Sequence, residues 1–125
     1  VQKNIKIVTK DLEFLVSLNN SKTSQEIMKA LPVDSIVNRW GYEIYFKIPV
    51  QSELENGVET LDIGTVAYWP PGSSFCIFFG KTPASTGDKP QAASQVTVIG
   101  EIIDKEILSD LKKISDGDKI RIEQA

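Results

Sequence analysis

Between Gly64 and Pro83 the chain reads GTVAYWPPGSSFCIFFGKTP, two apolar β-forming runs around a Pro-Pro-Gly break. Thr65, Val66, Ala67, Tyr68 and Trp69 suit a pleated, buried surface, and Ser74 to Phe79 resumes the same chemistry. Pro70 and Pro71 cannot donate to a ladder, so the segment must be a strand, a sharp reversal and a second strand. The second run is apolar at almost every position, which leaves little room for solvent on either of its faces. The only cysteine, Cys76, lies inside it, so the segment is core and candidate site at once.

With 125 residues and 41% hydrophobic content, the chain is expected to be a single domain, 1–125, with enough apolar surface for a genuine core. Its net charge of −3, with Lys and Arg scattered, provides no basic footprint for nucleic acid or an anionic membrane. The apolar runs fall far below the ~20 residues that span a bilayer, and no basic-then-apolar leader opens the chain. The expectation is a soluble, cytoplasmic protein. One cysteine forbids an internal disulfide and fits a reducing compartment. The absence of histidine removes Ser-His-Asp and Cys-His arrangements and every zinc site whose spacing depends on His. Neither a metal nor another cofactor is implied by what remains.

Asn4 to Thr9 and Leu12 to Leu18 alternate apolar with polar positions and read as a hairpin turning at Lys10-Asp11. Thr23 followed by Glu26 reads as a capping box for a helix over about Ser24 to Leu31, stopped by Pro32. Tyr42, Ile44, Phe46 and Ile48 alternate against Glu43, Tyr45 and Lys47, a strand with one buried face. Gln51 to Glu59 is expected as a surface loop or poorly formed hairpin, and Lys81 to Gln95 as a loop able to fold over a site as a lid. Val96 to Ile103 alternates again. Asp104 then caps a second helix over about Lys105 to Ile114, and Ile120 and Ile122 mark a last strand. Many short strands with two helices predict a mainly β fold, a closed antiparallel barrel with two α-helices covering its open ends.

Gly80-Lys81-Thr82 has the tail of a phosphate-binding loop, but Phe75 stands where that loop needs glycine. Glu53, Glu55, Glu59 and Asp62 are acidic but match no calcium-loop spacing and read as a solvated loop. Cys76 has no His, and no Lys within its strand, to lower its pKa; it reads as a small buried hydrophobe. In Arg39-Trp40-Gly41 an arginine beside an indole at the start of a strand must reach solvent, a carboxylate or a carbonyl, so anchoring and ligand binding are both open to it. Trp69, before Pro70-Pro71, either caps the barrel or floors a groove.

Arg39-Trp40-Gly41, AYWPPG at Ala67 to Gly72 and CIFFGKTPAS at Cys76 to Ser85 together resemble the small prokaryotic cyclophilin-like proteins, and the resemblance covers most of the chain. It implies a cyclophilin-type barrel. True cyclophilins, to which the likeness is remote, hold a peptide in a groove of Phe, Met, Gln, Trp, Leu and His while an arginine at a strand start donates to the proline nitrogen. The resemblance puts Arg39 in that arginine's place, Trp69 where the groove has a small backbone-contacting residue, and Cys76 in place of a floor phenylalanine. The histidine has no counterpart.

The reading that follows is a binding module for a peptide or small anionic ligand, in a groove on the outside of the barrel near Arg39, Tyr45, Trp69 and Cys76. The alternatives are weak peptidyl-prolyl isomerase activity with Arg39 as donor, and an interaction subunit of a metabolic complex using strand edges or the 81–95 loop.

Overall fold

A computed structural model describes residues 3–125. In chain order the elements are β1 (Lys3–Thr9), β2 (Leu12–Leu18), α1 (Lys22–Ala30), β3 (Val33–Ile36), β4 (Asn38–Trp40), β5 (Glu43–Lys47), β6 (Val58–Thr60), β7 (Thr65–Trp69), β8 (Ser74–Phe78), β9 (Gln91–Ile102) and β10 (Lys119–Gln124). One 3-10 turn, Pro70–Gly72, joins β7 to β8, and a 3-10 helix, Lys105–Lys113, precedes β10. The strands pair in the order β3-β10-β1-β2-β9-β7-β8-β5-β4, with β6 on β9, and the ladders are antiparallel.

The mainly β, antiparallel expectation holds, but the closed barrel does not. β3 and β4 end the path, and no ladder joins them among the described residues. Val37 alone links the two, too short a connection to fold them back on each other. Its N–H donates to Asp118 O at 2.9 Å and its C=O accepts from Gly117 N at 2.9 Å, so the crossing backbone is spent on the turn before β10. A side chain bridges the gap instead, Ser35 Oγ donating to Lys47 O at 2.7 Å.

The β1–β2 hairpin turns at Lys10-Asp11, with Ile7 opposite Phe14 and Ile5 opposite Val16, all buried. α1 forms where expected, but its N-cap is Ser21, whose hydroxyl accepts from Ser24 N at 3.1 Å. The carboxylate at its first turn comes from the distant loop: Glu55 accepts from Thr23 N at 2.8 Å, Thr23 Oγ1 at 2.6 Å and Lys22 N at 3.2 Å. Free N–H groups and the positive helix end favour an anion there, and the Thr23 hydroxyl above all holds Glu55 below the usual carboxylate range. The second helix is a correction. Its residues take the 3-10 form, which sets Leu108, Leu111 and Ile114 three apart on one line facing the core.

β3 and β4 are invisible in the sequence because four and three residues cannot display a period. β9 begins at Gln91, inside the stretch read as a lid, and only Lys81 to Pro90 remains a loop. That loop is tied to itself, Ser85 Oγ donating to Lys89 O at 2.9 Å and accepting from Thr82 N at 3.0 Å.

The main core fills the inner face of the sheet, with Phe46 stacked on Phe75 at 5.1 Å between ring centroids, and with Ile27, Leu111 and Ile114 contributed by the helices. A second, smaller cluster of Leu61, Ala67, Cys76, Phe78, Ala92 and Val96 lies on the outer face of β7 and β8. β9 serves both. A register shift opposite Val66 and Ala67 separates its outer residues Ala92 and Val96 from its inner residues Ile99 and Ile102. Just past the shift, β2 and β9 approach so closely that a Cβ on Gly100 would stand 2.1 Å from Ser17 O. Relief requires moving a backbone, so Gly100→Ala is expected to cost about 3 kcal/mol. Urea denaturation should show this as a lower midpoint with the slope unchanged.

Candidate ligand-binding site

Strand alternation decides which side chains meet on the outer face. Along β5, Ile44 and Phe46 enter the main core while Glu43 and Tyr45 point the other way. Their partners on β8 are Phe78 opposite Glu43 and Cys76 opposite Tyr45. β7 adds Ala67 opposite Cys76 and Trp69 opposite Ser74. β4 brings Trp40 opposite Glu43. The first half of β9 lies against this surface and leaves a cavity of about 230 Å³. Its walls are the aromatic residues Trp40, Tyr45 and Trp69 and the small residues Ala92, Ala93 and Val96, with Glu43 as the one acidic group.

Trp69 is held on two sides. Its indole N–H donates to Ser94 Oγ at 2.7 Å, which fastens the start of β9 over the site. Behind it sits Gly72, where a Cβ would lie 2.7 Å from the ring. The Pro-Pro-Gly reversal therefore needs its glycine for the indole's sake.

Glu43 is 6% exposed and, among the described residues, has no cation within ion-pair distance. Loss of water pushes its carboxyl up to about 7, against a smaller opposing contribution from the neighbouring Cys76 thiol. Cys76 is buried, with Sγ 3.8 Å from Ser74 O; burial first, and Glu43 second, push its thiol well above the ordinary value.

Of the four residues singled out from the sequence, Tyr45 and Trp69 line the cavity, and Cys76 lies beneath it in the outer cluster. Arg39 does not belong to the lining. It pairs with Ile44 and so projects from the opposite side of β4 to Trp40. There its guanidinium donates to Gly41 O at 2.7 Å, Lys112 O at 2.8 Å and Ile114 O at 2.7 Å, and lies 5.5 Å and 5.2 Å from the ring centroids of Tyr42 and Phe79. Its backbone N–H is taken by Asp116. Arg39 is a clamp between β4 and the end of the 3-10 helix. Trp40, Glu43 and the alanines of β9 were missed. Alternation assigns Glu43 to a solvent face, but Trp40 across from it on β4, Phe78 on β8 and the start of β9 enclose it. The acidic positions Glu53, Glu55, Glu59 and Asp62 do not converge: no group of three or more His, Cys, Asp or Glu gathers among the described residues.

Two outcomes follow from this burial. Because the folded carboxyl of Glu43 titrates above its unfolded value, the folded state holds the extra proton between about pH 4.5 and 7, and stability falls as pH rises through that window. The loss is on the order of 3 kcal/mol, and Glu43→Gln should flatten the profile and raise stability at pH 8, as measured by denaturant midpoints from pH 4 to 9. Cys76, protonated and enclosed, should label slowly with a thiol reagent at neutral pH; rapid stoichiometric labelling of the native protein would contradict the packing.

Comparison with known proteins agrees with this architecture. Residues 3–123 match the family model described as Cyclophilin-like. The solution structure of the hypothetical protein AF2241 from Archaeoglobus fulgidus superposes with a TM-score of 0.81 at 39% identity, covering 100% of this chain and 96% of that one. Among curated proteins none matches the chain. No helix among the described residues is long and apolar enough to cross a membrane. With the family match running from β1 to β10 and an archaeal structure of the same fold covering its full length, the chain belongs to the cyclophilin-like family.

Proposed function

We propose that this protein is a binding module whose outer-face cavity takes a small molecule or a peptide side chain. The observation that carries the reading is the three-aromatic cavity around Glu43, a concave, mainly apolar site with one polar group to orient a guest. An anionic guest is disfavoured, because the nearest ionisable wall is itself a carboxyl and the guanidinium of Arg39 is engaged elsewhere.

The same engagement argues against prolyl isomerisation. The barrier to rotation is ~20 kcal/mol, and a donor must strengthen its bond to the proline nitrogen as amide resonance is lost. Arg39 cannot do so without leaving three carbonyls, and it lies outside the lining of the aromatic cavity.

A screen of small aromatic, amide and amine fragments, followed through the two tryptophan indole signals, tests the reading. Fragments should bind saturably, and Ala93→Phe, at an exposed wall position, should abolish binding while the protein still unfolds cooperatively. Arg39→Ala should lower stability by about 2 kcal/mol and leave fragment affinity unchanged. In a protease-coupled assay at micromolar protein, no acceleration of Xaa-Pro rotation is expected. Robust turnover abolished by Arg39→Ala would favour the enzyme, and no fragment binding at all would remove the module.

A further inference from the structure

We infer that the guest class of this cavity is an organic cation, an alkylammonium or quaternary ammonium group held among Trp40, Tyr45 and Trp69 against Glu43. The inference rests on the binding reading above and specifies its ligand. A carboxyl taken from water without a cation is costly, and in folded proteins such groups are ordinarily paired or kept neutral. Glu43 has no cationic partner among the described residues, yet it lines a cavity of about 230 Å³ open to solvent. A cation delivered from solution is the complement that the fold itself omits.

The walls point the same way. Ring faces of Trp and Tyr carry negative potential and attract ammonium groups, most strongly where water is excluded, and rings gathered around a small void are the arrangement that selects such groups over neutral ones. No Lys or Arg lines the cavity to compete for the carboxyl or repel the guest. Around Glu43, β8 brings the Cys76 thiol and Phe78, β4 brings Trp40, β7 brings Trp69, β9 brings Ala92, Ala93 and Val96, and β5 itself adds the Tyr45 phenol. Burial first, and Glu43 second, push the Cys76 thiol well above its ordinary value, so it stays protonated at neutral pH. The carboxyl of Glu43, pushed up to about 7, changes charge there.

Choline and its neutral isostere 3,3-dimethylbutan-1-ol separate charge from shape, and n-butylammonium extends the comparison to a primary amine. Titrations on the full chain should be read from the indole N–H signals of Trp40 and Trp69 at pH 8 and pH 5.5. At pH 8 the two cations should bind at least about tenfold more tightly than the isostere. Their affinity should fall by a similar factor at pH 5.5 while the isostere's stays constant. Glu43→Gln, which keeps the side-chain shape, should erase the cations' advantage and the pH dependence together. Tyr45→Leu should weaken the cations more than the isostere. The inference is overturned if the isostere matches choline, if Glu43→Gln leaves choline affinity unchanged, or if neither cation shifts the indoles. In that last case, neutral fragments that bind and are lost in Ala93→Phe would leave the binding module standing without a cationic guest. A protein that binds nothing loses both readings.

Discussion

Everything in this molecule depends on β8 being buried on both faces. Its residues Ser74 to Phe78 are all buried, so β8 has to be covered twice. The inner face meets the main core through Phe75 and Ile77, and the outer face through Cys76 and Phe78 meets the second cluster. An antiparallel sheet with one wet face would leave Cys76 and Phe78 in water, and the burial of a side chain as large as phenylalanine contributes roughly 2 kcal/mol. The long strand β9 answers that demand. It bends through a register shift so that one half seals the outer cluster and the other half enters the main core, and the close contact at Gly100 is what this crossing requires. The cavity is the part of the outer face that β9 does not fill.

Electrostatics divides the molecule into two separate arrangements on the two sides of β4. On one side a cation, Arg39, is consumed by Gly41 O in the turn after β4 and by Lys112 O and Ile114 O at the end of the 3-10 helix, where helix carbonyls lack internal partners. On the other side an acid, Glu43, is enclosed with no cation within ion-pair distance among the described residues. The two charged groups sit on neighbouring strands but never face one another, because Arg39 stands opposite Ile44 and not opposite Glu43. Had the register been one residue different, they could have formed an ordinary ion pair and the cavity would have lost its acidic wall.

Much of the architecture was legible because it is written in local chemistry. The β1–β2 hairpin, the β7 turn β8 unit, α1 and the last strand all carry alternation, breakers or caps within a few residues of one another. The short strands β3 and β4 were not, since a period needs more residues than they have. The second helix was placed correctly along the chain but took the 3-10 form, since apolar positions three and four apart fit either period, and contact with the core chose between them. The two ends of the sheet, β3 and β4, are consecutive in the chain, and the backbone of Val37 between them is claimed by residues some eighty positions later.

For the site, composition and pattern determined the ingredients: an aromatic, Cys-containing, outward-facing β segment with no histidine, and Tyr45 and Trp69 as members of one surface. Pattern alone could not say whether Arg39 or its neighbour Trp40 would join them. Side-chain direction reverses at every residue of a strand, so the choice between Arg39 and Trp40 turns on the pairing with β5. Nor could it say that Glu43, on the polar face of β5, would be buried. That depended on Trp40 and Phe78 across the ladders and on the start of β9, about fifty residues further along, closing the cavity beside Glu43, and burial by distant strands leaves no mark on the residue they enclose.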